Sequence, residues 1–138
     1  MPFLDPERAM SVFRTARGLG LLVAPGPVGG HWAGGPAHRP GGKLLGQALG
    51  ARDLVIGAGL LRAARSGEDA VRREWLAAGV VVDVIDLLAT VGHRRALTWN
   101  GEVLALVAAA SCTAIGLQSL RVSPERRNGA AVTAAPQA

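Results

Sequence analysis

The chain has 138 residues, the length of one domain, with 49% hydrophobic residues, 18% charged residues and a formal net charge of +5. Its bases lie mostly in connecting segments and form no face with aromatic or polar readers, which argues against a nucleic-acid partner, and its single cysteine excludes an intrachain disulfide. The start, MPFLDPERAM, lacks the basic and apolar regions of a signal peptide. Low charge, collected in short clusters between apolar blocks, is typical of a membrane protein.

Four apolar segments predict an all-α protein, a four-transmembrane-helix bundle with up-down-up-down topology over residues 1–122. The first segment, about residues 8–28, follows an N-cap at Asp5 and a proline at the first helical position, Pro6. We expect this span to weaken at Pro25, because proline disrupts a helix interior.

The remaining spans are predicted at about residues 43–62, 75–92 and 102–121. The last is the clearest, because the 18 residues between Glu102 and Arg121 carry no charge and suffice to cross a hydrocarbon core of about 30 Å. A soluble four-helix bundle is the competing interpretation. It is disfavoured because spans three and four have no polar outer face.

The connecting segments differ in character. Residues 29–42, GGHWAGGPAHRPGG, contain six glycines and two prolines and predict an irregular loop, anchored at the membrane interface by Trp32. Residues 62–74 are charged and are expected to lie in water. Residues 123–138 lack apolar periodicity and are predicted to form a disordered cytoplasmic tail.

The bases also predict an orientation in the inner (plasma) membrane. With both termini in the cytoplasm, eight bases lie inside and four outside, which agrees with the preference of cytoplasmic loops for Lys and Arg. The inner set is Arg8, Arg62, Arg65, Arg72, Arg73, Arg121, Arg126 and Arg127, and the outer set is Arg39, Lys43, Arg94 and Arg95.

The carboxylates of spans two and three share helix faces with small residues. Two stripes have the same helical spacing: Gly46, Gly50, Asp53 and Gly57 in span two, and Gly79, Asp83, Asp86 and Thr90 in span three. Small residues let helices approach closely in lipid, so these stripes are predicted to face the interior of the bundle.

Charges within the spans are balanced in number. An uncompensated charge at mid-membrane costs at least about 2.5–3.5 kcal/mol, so these residues are expected to pair. They are Arg14, Arg17 and Arg52 against Asp53, Asp83 and Asp86. Adjacent residues lie about 100° apart on a helix, so Arg52 and Asp53 are predicted to serve different partners. Asp53 is expected to face the carboxylates of span three or Arg17.

The segments ALGARDLVIGAGLL (48–61) and AAGVVVDVIDLLAT (77–90) resemble the paired motifs of small four-span membrane proteins common in actinobacteria. The resemblance covers roughly residues 17–121 and implies a fold and a membrane location but no reaction. Its motifs single out four positions: Arg52, Asp53, Asp83 and Asp86.

Two classes of function fit this pattern. In the first, the protein has a structural or accessory role, and its charges fix helix register or bind a membrane protein partner. In the second, it is a small membrane-embedded enzyme of cyclase or isomerase type that acts on a lipophilic small molecule. Asp53, Asp83 and Asp86 would then be the acid or base, with Arg17 and Arg52 as charge stabilisers. Proton or ion transport is a third possibility.

The spacing of Asp83 and Asp86 also suits a shared proton or a magnesium ion, but balanced charge favours a structural pairing with arginine. His31 and His38 are weak as metal ligands because neither cysteine nor carboxylate accompanies them. No cofactor and no metal is therefore predicted.

Overall fold

A computed structural model describes residues 5–121, which form an all-helical protein with no strand among them. The α-helices are α1 (Pro6–Val23), α2 (Pro25–Ala33), α3 (Pro40–Ser66), α4 (Asp69–Gly92) and α5 (Trp99–Arg121). Short 3-10 helices at Gly35–His38 and Arg94–Ala96 precede α3 and α5. The predicted tail, residues 123–138, lies outside the described residues.

The predictions for spans two to four are confirmed as helices, each longer than expected. α3, α4 and α5 contain residues 43–62, 75–92 and 102–121, and all three helices are long and apolar enough to cross a membrane. Neighbouring long helices run antiparallel. Gly57 of α3 lies against Ser11 and Thr15 of α1, whereas Gly46, earlier in α3, lies against Leu21 of α1 and Pro25, so α1 and α3 run in opposite directions.

The first predicted span, residues 8–28, is divided between two helices, and the expected weakening at Pro25 is a break in the helix. α1 begins as expected, with the Asp5 side chain accepting a hydrogen bond from the Glu7 amide at 3.1 Å, but it ends at Val23. Ala24 leaves the helical region because a residue before proline is disfavoured there, and α2 starts at Pro25. Among the described helices, α1 is not one of the three membrane-capable ones, since its 18 residues carry four charges.

The prediction of an irregular loop at residues 29–42 is wrong. Most of that segment lies in α2, in the 3-10 helix Gly35–His38 and in the first turn of α3. Proline did not exclude helix here, because each helical piece begins with proline in its first two positions, where no amide hydrogen bond is lost. Gly34 alone in this segment has a positive φ, 61°, and separates α2 from the 3-10 helix.

Glycines in α2 allow His38 to pack closely against this helix. The imidazole of His38 packs directly on Gly26 and Gly30, where an added Cβ would lie 3.0 Å and 3.1 Å from a ring nitrogen. At the end of α2, the Trp32 carbonyl accepts hydrogen bonds from the amide of Thr98 at 3.1 Å and from its hydroxyl at 3.2 Å. These contacts attach α2 to the start of α5.

The charged segment 62–74 is mostly exposed but is helical except at its centre. α3 continues to Ser66, and Gly67, with φ 72°, supplies the left-handed residue that ends it. The expectation that the whole segment lies in water is wrong for Arg72, which is 5% exposed. Its guanidinium is buried because Glu7 of α1 lies beside it, with Nη1 donating to Oε2 at 2.7 Å.

The helices bury charge and expose apolar side chains. Arg14 and Asp53 are among the largest fully buried side chains, whereas Val81, Ile85 and Leu88 on α4 are 57–67% exposed. Large apolar residues are exposed on α1, α3 and α5 as well. A soluble bundle needs the reverse distribution, so this surface disfavours the soluble alternative.

The predicted small-residue face of α3 is confirmed, since all four residues of its stripe are buried. It packs on α1 closely enough that side chains are excluded. A Cβ on Gly50 would lie 2.7 Å from Leu21 Cβ and 2.8 Å from the Gly18 carbonyl oxygen, and one on Gly18 would lie 2.5 Å from the Leu54 nitrogen. The two backbones therefore touch near the middle of the bundle.

We expect Gly50→Ala to destabilise the protein by about 1–3 kcal/mol, because the added methyl forces α1 and α3 apart. Denaturant unfolding of the protein in detergent micelles measures this loss. The matched control is Gly41→Ala in the first turn of the same helix, where an added Cβ meets nothing within 4 Å. Equal stability of the two variants would contradict the close approach of the helices.

Candidate functional site

The centre of the candidate site is Asp53 of α3, whose side chain is completely buried. Arg17 of α1 donates from Nε to Asp53 Oδ2 at 2.6 Å, and its Nη2 contacts the same oxygen. Arg14, one turn earlier on α1, places Nη1 3.6 Å from Asp53 Oδ1, an ion pair beyond hydrogen-bond length. Asp53 is thus held between two arginines of another helix, and of its two expected partners, Arg17 or the carboxylates of span three, it pairs with Arg17.

A second contact joins α1 to α4. Arg14 is 1% exposed, and its Nη2 donates to Asp83 Oδ2, whose side chain is 5% exposed. Both partners are therefore removed from solvent, and the geometry is that of a charge-assisted hydrogen bond.

A third contact joins α3 to α4. Arg52 donates to both carboxylate oxygens of Asp86, from Nη1 at 2.8 Å and from Nη2 at 2.6 Å. This two-pronged pairing fixes orientation as well as distance. Arg52 Nη2 also lies 3.4 Å from Asp53 Oδ1, so the neighbours share one weak contact while their main partners differ, as predicted.

These contacts form one neutral cluster of three arginines and three aspartates, which we call the Arg/Asp cluster. It links α1, α3 and α4 and brings together every predicted site residue: Arg17, Arg52, Asp53, Asp83 and Asp86. Arg14 was predicted only as part of the charge balance, yet among the described arginines it is the most deeply buried, and it joins aspartates of two other helices, Asp53 of α3 and Asp83 of α4. Its spacing of three from Arg17, which places both on one helix face, was the available signal.

The cluster leaves some donors without acceptors. Among residues 5–121, Arg14 Nε and Nη1 and Arg52 Nε are buried with no hydrogen-bond partner. A buried unsatisfied donor costs about 1–3 kcal/mol. The cluster therefore has spare hydrogen-bonding capacity, although its formal charges cancel.

Sequence reasoning missed a second buried pair, Glu7 with Arg72. It lies toward the other end of the bundle, and Arg72 Nε also lies 3.4 Å from Asp69 Oδ1 one turn earlier on α4. No local pattern reveals this pair, because its partners are 65 positions apart and belong to segments predicted to lie near or in water.

A cavity of about 560 Å³ adjoins the Arg/Asp cluster. Arg17, Arg52, Asp83 and Asp86 contribute to its wall, whereas Asp53 does not line it. The rest of the wall is mainly apolar and comes from all five α-helices, with Trp32 and His31 of α2 at the end away from the cluster. The predicted interfacial anchor, Trp32, is therefore part of the cavity wall.

The described residues contain no group of three or more His, Cys, Asp or Glu side chains placed to hold a metal ion. Comparison with protein-family models, with curated proteins and with solved structures finds no match for the chain. Three membrane-capable helices with apolar outer surfaces, together with a buried Arg/Asp cluster, are consistent with a membrane protein.

We expect Asp53→Asn to lower the free energy of unfolding by about 3–5 kcal/mol, because it removes the carboxylate partner of Arg17 and leaves the buried cluster with a net positive charge. Asp86→Asn should lower the free energy of unfolding by less, since the Asp86 side chain is 28% exposed and water can solvate the guanidinium of its partner, Arg52.

Denaturant titration in detergent micelles, read by circular dichroism, gives both values. Asp69→Asn serves as the control, because that carboxylate is 45% exposed and such pairs contribute about 0–1 kcal/mol. An Asp53→Asn protein as stable as the Asp69→Asn control would refute the importance of the buried pairing.

Proposed function

We propose that the chain is a multi-pass integral membrane protein of the inner (plasma) membrane, and that the Arg/Asp cluster fixes its helices in register. The role is structural or accessory, in the bundle itself or toward a membrane protein partner. The observation that carries this proposal is that each of the three carboxylates pairs with an arginine of a different helix.

The physical argument starts from the weak drive between apolar helices in lipid. Lipid chains solvate leucine as well as another helix does, so close packing and polar contacts must hold a membrane bundle together. Ion pairs with fixed geometry add specificity, since a shift of one helix relative to another leaves buried charges unpaired. The contacts of Arg14 and Arg52 favour one register of α4 against α1 and α3.

We further propose four spans, with α1 as the first. Its 18 residues extend about 27 Å at 1.5 Å per residue, close to a hydrocarbon core of about 30 Å. Its internal charges are neutralised within the bundle: Arg14 and Arg17 by the cluster, and Glu7 by Arg72. Beyond Arg8 in the first turn, its outward side chains are apolar, with Val12 and Leu19 about half exposed and Val23 78% exposed.

The proposed topology keeps both termini in the cytoplasm. Four bases lie at the α2 end of the bundle: Arg39, Lys43, Arg94 and Arg95. The other described, exposed bases of the connecting segments lie at the opposite end. This excess of bases at the end opposite α2 supports a cytoplasmic location for that end. Burial of Arg72 in its pair with Glu7 removes one base from the cytoplasmic count without reversing the imbalance. The motifs around Arg52 and Asp83 support membership of the actinobacterial four-span group, which we propose on that resemblance.

A membrane-embedded enzyme of cyclase or isomerase type is a second candidate, favoured by the cavity beside the cluster. Asp83 and Asp86 line that cavity together with Arg17 and Arg52, so acid, base and charge-stabilising groups would face a lipophilic substrate. In this candidate Asp86, with 28% of its side chain exposed, is the most accessible of the three carboxylates. Asp53 would act through Arg17, since it is fully buried outside the cavity wall.

A double-mutant cycle on Arg52 and Asp86 tests the structural role. We expect each single variant, Arg52→Gln or Asp86→Asn, to lose about 1–3 kcal/mol by leaving one charged partner unsatisfied. The double variant should recover much of this loss, because both charges are removed together. Arg62→Gln, at an exposed position of the same helix, controls for loss of a positive charge.

Additive losses in the cycle would argue against a register role for this pair. A double variant that folds as the wild type but abolishes a cellular phenotype or product would instead favour the enzyme. The two candidates therefore differ in the phenotype expected of a double variant that folds.

The membrane topology is tested by reporter fusions. We expect a periplasmic reporter fused after Ala138 to be inactive and one inserted in the 93–98 connection to be active. Alkaline carbonate washing should leave the protein in the membrane fraction. An active reporter after Ala138 would overturn the cytoplasmic orientation.

A further inference from the structure

The cavity has a defined axis. On α5 its wall extends from Cys112, beside the cluster, to Leu104, a rise of about 12 Å at 1.5 Å per residue. On α4 it extends from Asp83 to His93. Its volume of about 560 Å³ falls within the range of roughly 300–1,000 Å³ that is usual for small-molecule sites.

The two ends of this axis differ chemically. Arg17, Arg52, Asp83 and Asp86 lie at one end, which we call the charged end. Between that end and Trp32 of α2, the wall is formed mainly by aliphatic side chains, among them Leu21, Val28 and Leu104, with His31 and His93 as uncommon polar members. This division matches a molecule with one polar terminus and an apolar body.

The charge balance decides what kind of polar terminus fits. Asp83 and Asp86 are already paired with arginine, and so is the Arg17 guanidinium. A charged ligand would add a net charge to a neutral cluster in apolar surroundings, or would have to displace one of these partners, and either is costly. An uncharged group meets neither penalty.

The spare donors decide the polarity of that group. Arg52 lines the cavity with a side chain that is 27% exposed, and of its five N–H donors two bond Asp86 and one lies 3.4 Å from Asp53. Arginine offers donors only, so the complementary ligand atom is an acceptor. A hydroxyl or carbonyl oxygen provides one without adding charge.

We propose that the cavity is a binding site for an uncharged lipophilic molecule, held by a hydroxyl or carbonyl oxygen at Arg52 with its apolar body directed along α5 toward Trp32. This inference goes beyond the register role of the cluster and needs only the folded bundle, with no reaction at the site. The failure of either idea therefore leaves the other standing.

Tryptophan quenching tests the site because the three tryptophans lie in different places. Trp32 lines the cavity, whereas Trp75 packs on Gly59 and Trp99 is 77% exposed. Replacing Trp75 and Trp99 with phenylalanine leaves Trp32 as the reporter, and replacing Trp32 and Trp99 leaves Trp75 as the matched control for probe dissolved in the micelle.

The probes are three octyl chains with a terminal bromine, which quenches tryptophan on contact. They carry a hydroxyl (bromo-octanol), a carboxylate (bromo-octanoate) or no polar group (bromo-octane) at the other end. We expect bromo-octanol to cause a saturable loss of Trp32 fluorescence and only the weak, linear loss of micellar partitioning at Trp75. The other two probes should quench both reporters equally.

Two variants of α5 separate the cavity from its surroundings. Ala108→Phe places a larger side chain in the cavity at a residue outside the Arg/Asp cluster and should abolish the saturable quenching. Ala110→Phe, at an exposed position that does not line the cavity, should preserve it. Thermal unfolding of the wild-type chain gives a second measurement, since a ligand that binds only the folded state raises the midpoint. Bromo-octanol should raise it for the wild type and for Ala110→Phe but not for Ala108→Phe.

The result that overturns the proposal is equal quenching of Trp32 and Trp75 by bromo-octanol, together with no rise in the unfolding midpoint. Preferential binding of bromo-octanoate would refute the uncharged terminus, and equal binding of bromo-octane would refute the hydrogen bond to Arg52. Retention of the saturable signal in Ala108→Phe would place the binding site elsewhere.

Discussion

The structure depends on the burial of Arg14. Its guanidinium lies between Asp53 of α3 and Asp83 of α4, so one side chain of α1 determines how the other two helices meet. A buried arginine cannot shed its proton to escape the cost of desolvation, and it is retained only where anions surround it. The other arginines balance the remaining negative charge: Arg17 pairs with Asp53, and Arg52 pairs with Asp86.

Close packing and charge pairing support each other in this arrangement. The arginine side chains of α1 reach Asp53 because glycines let α1 and α3 touch at their backbones, with no room for a Cβ on Gly18 or Gly50. The resulting bundle carries its polar groups inside and aliphatic side chains outside. The helices leave a cavity between the Arg/Asp cluster and α2, so an apolar space lies beside the polar cluster.

Much of this arrangement was predictable from the charged residues within apolar segments, because their burial is unfavourable unless they are paired. Charges within long apolar segments are expensive unless paired, so Arg17, Asp53 and Asp83 identified the site before any geometry was known. α2 was not predictable, because its glycines and prolines carry no apolar periodicity, and its contacts with His38 and Thr98 come from residues outside the helix. The burial of Arg72 depends on a partner in α1, and such long-range pairing leaves no local trace in a single sequence.

The distribution of opposite charges along the chain has a consequence for synthesis. Arg17 precedes Asp53 by 36 positions, and Arg14 precedes Asp83 by 69, so α1 leaves the ribosome well before the anions that neutralise it. In the proposed four-span topology, entry of α1 into lipid is therefore favourable only together with α3 and α4, which carry the neutralising anions. Insertion of these helices would then be a collective event, in which later segments supply the electrostatic stabilisation that α1 lacks by itself.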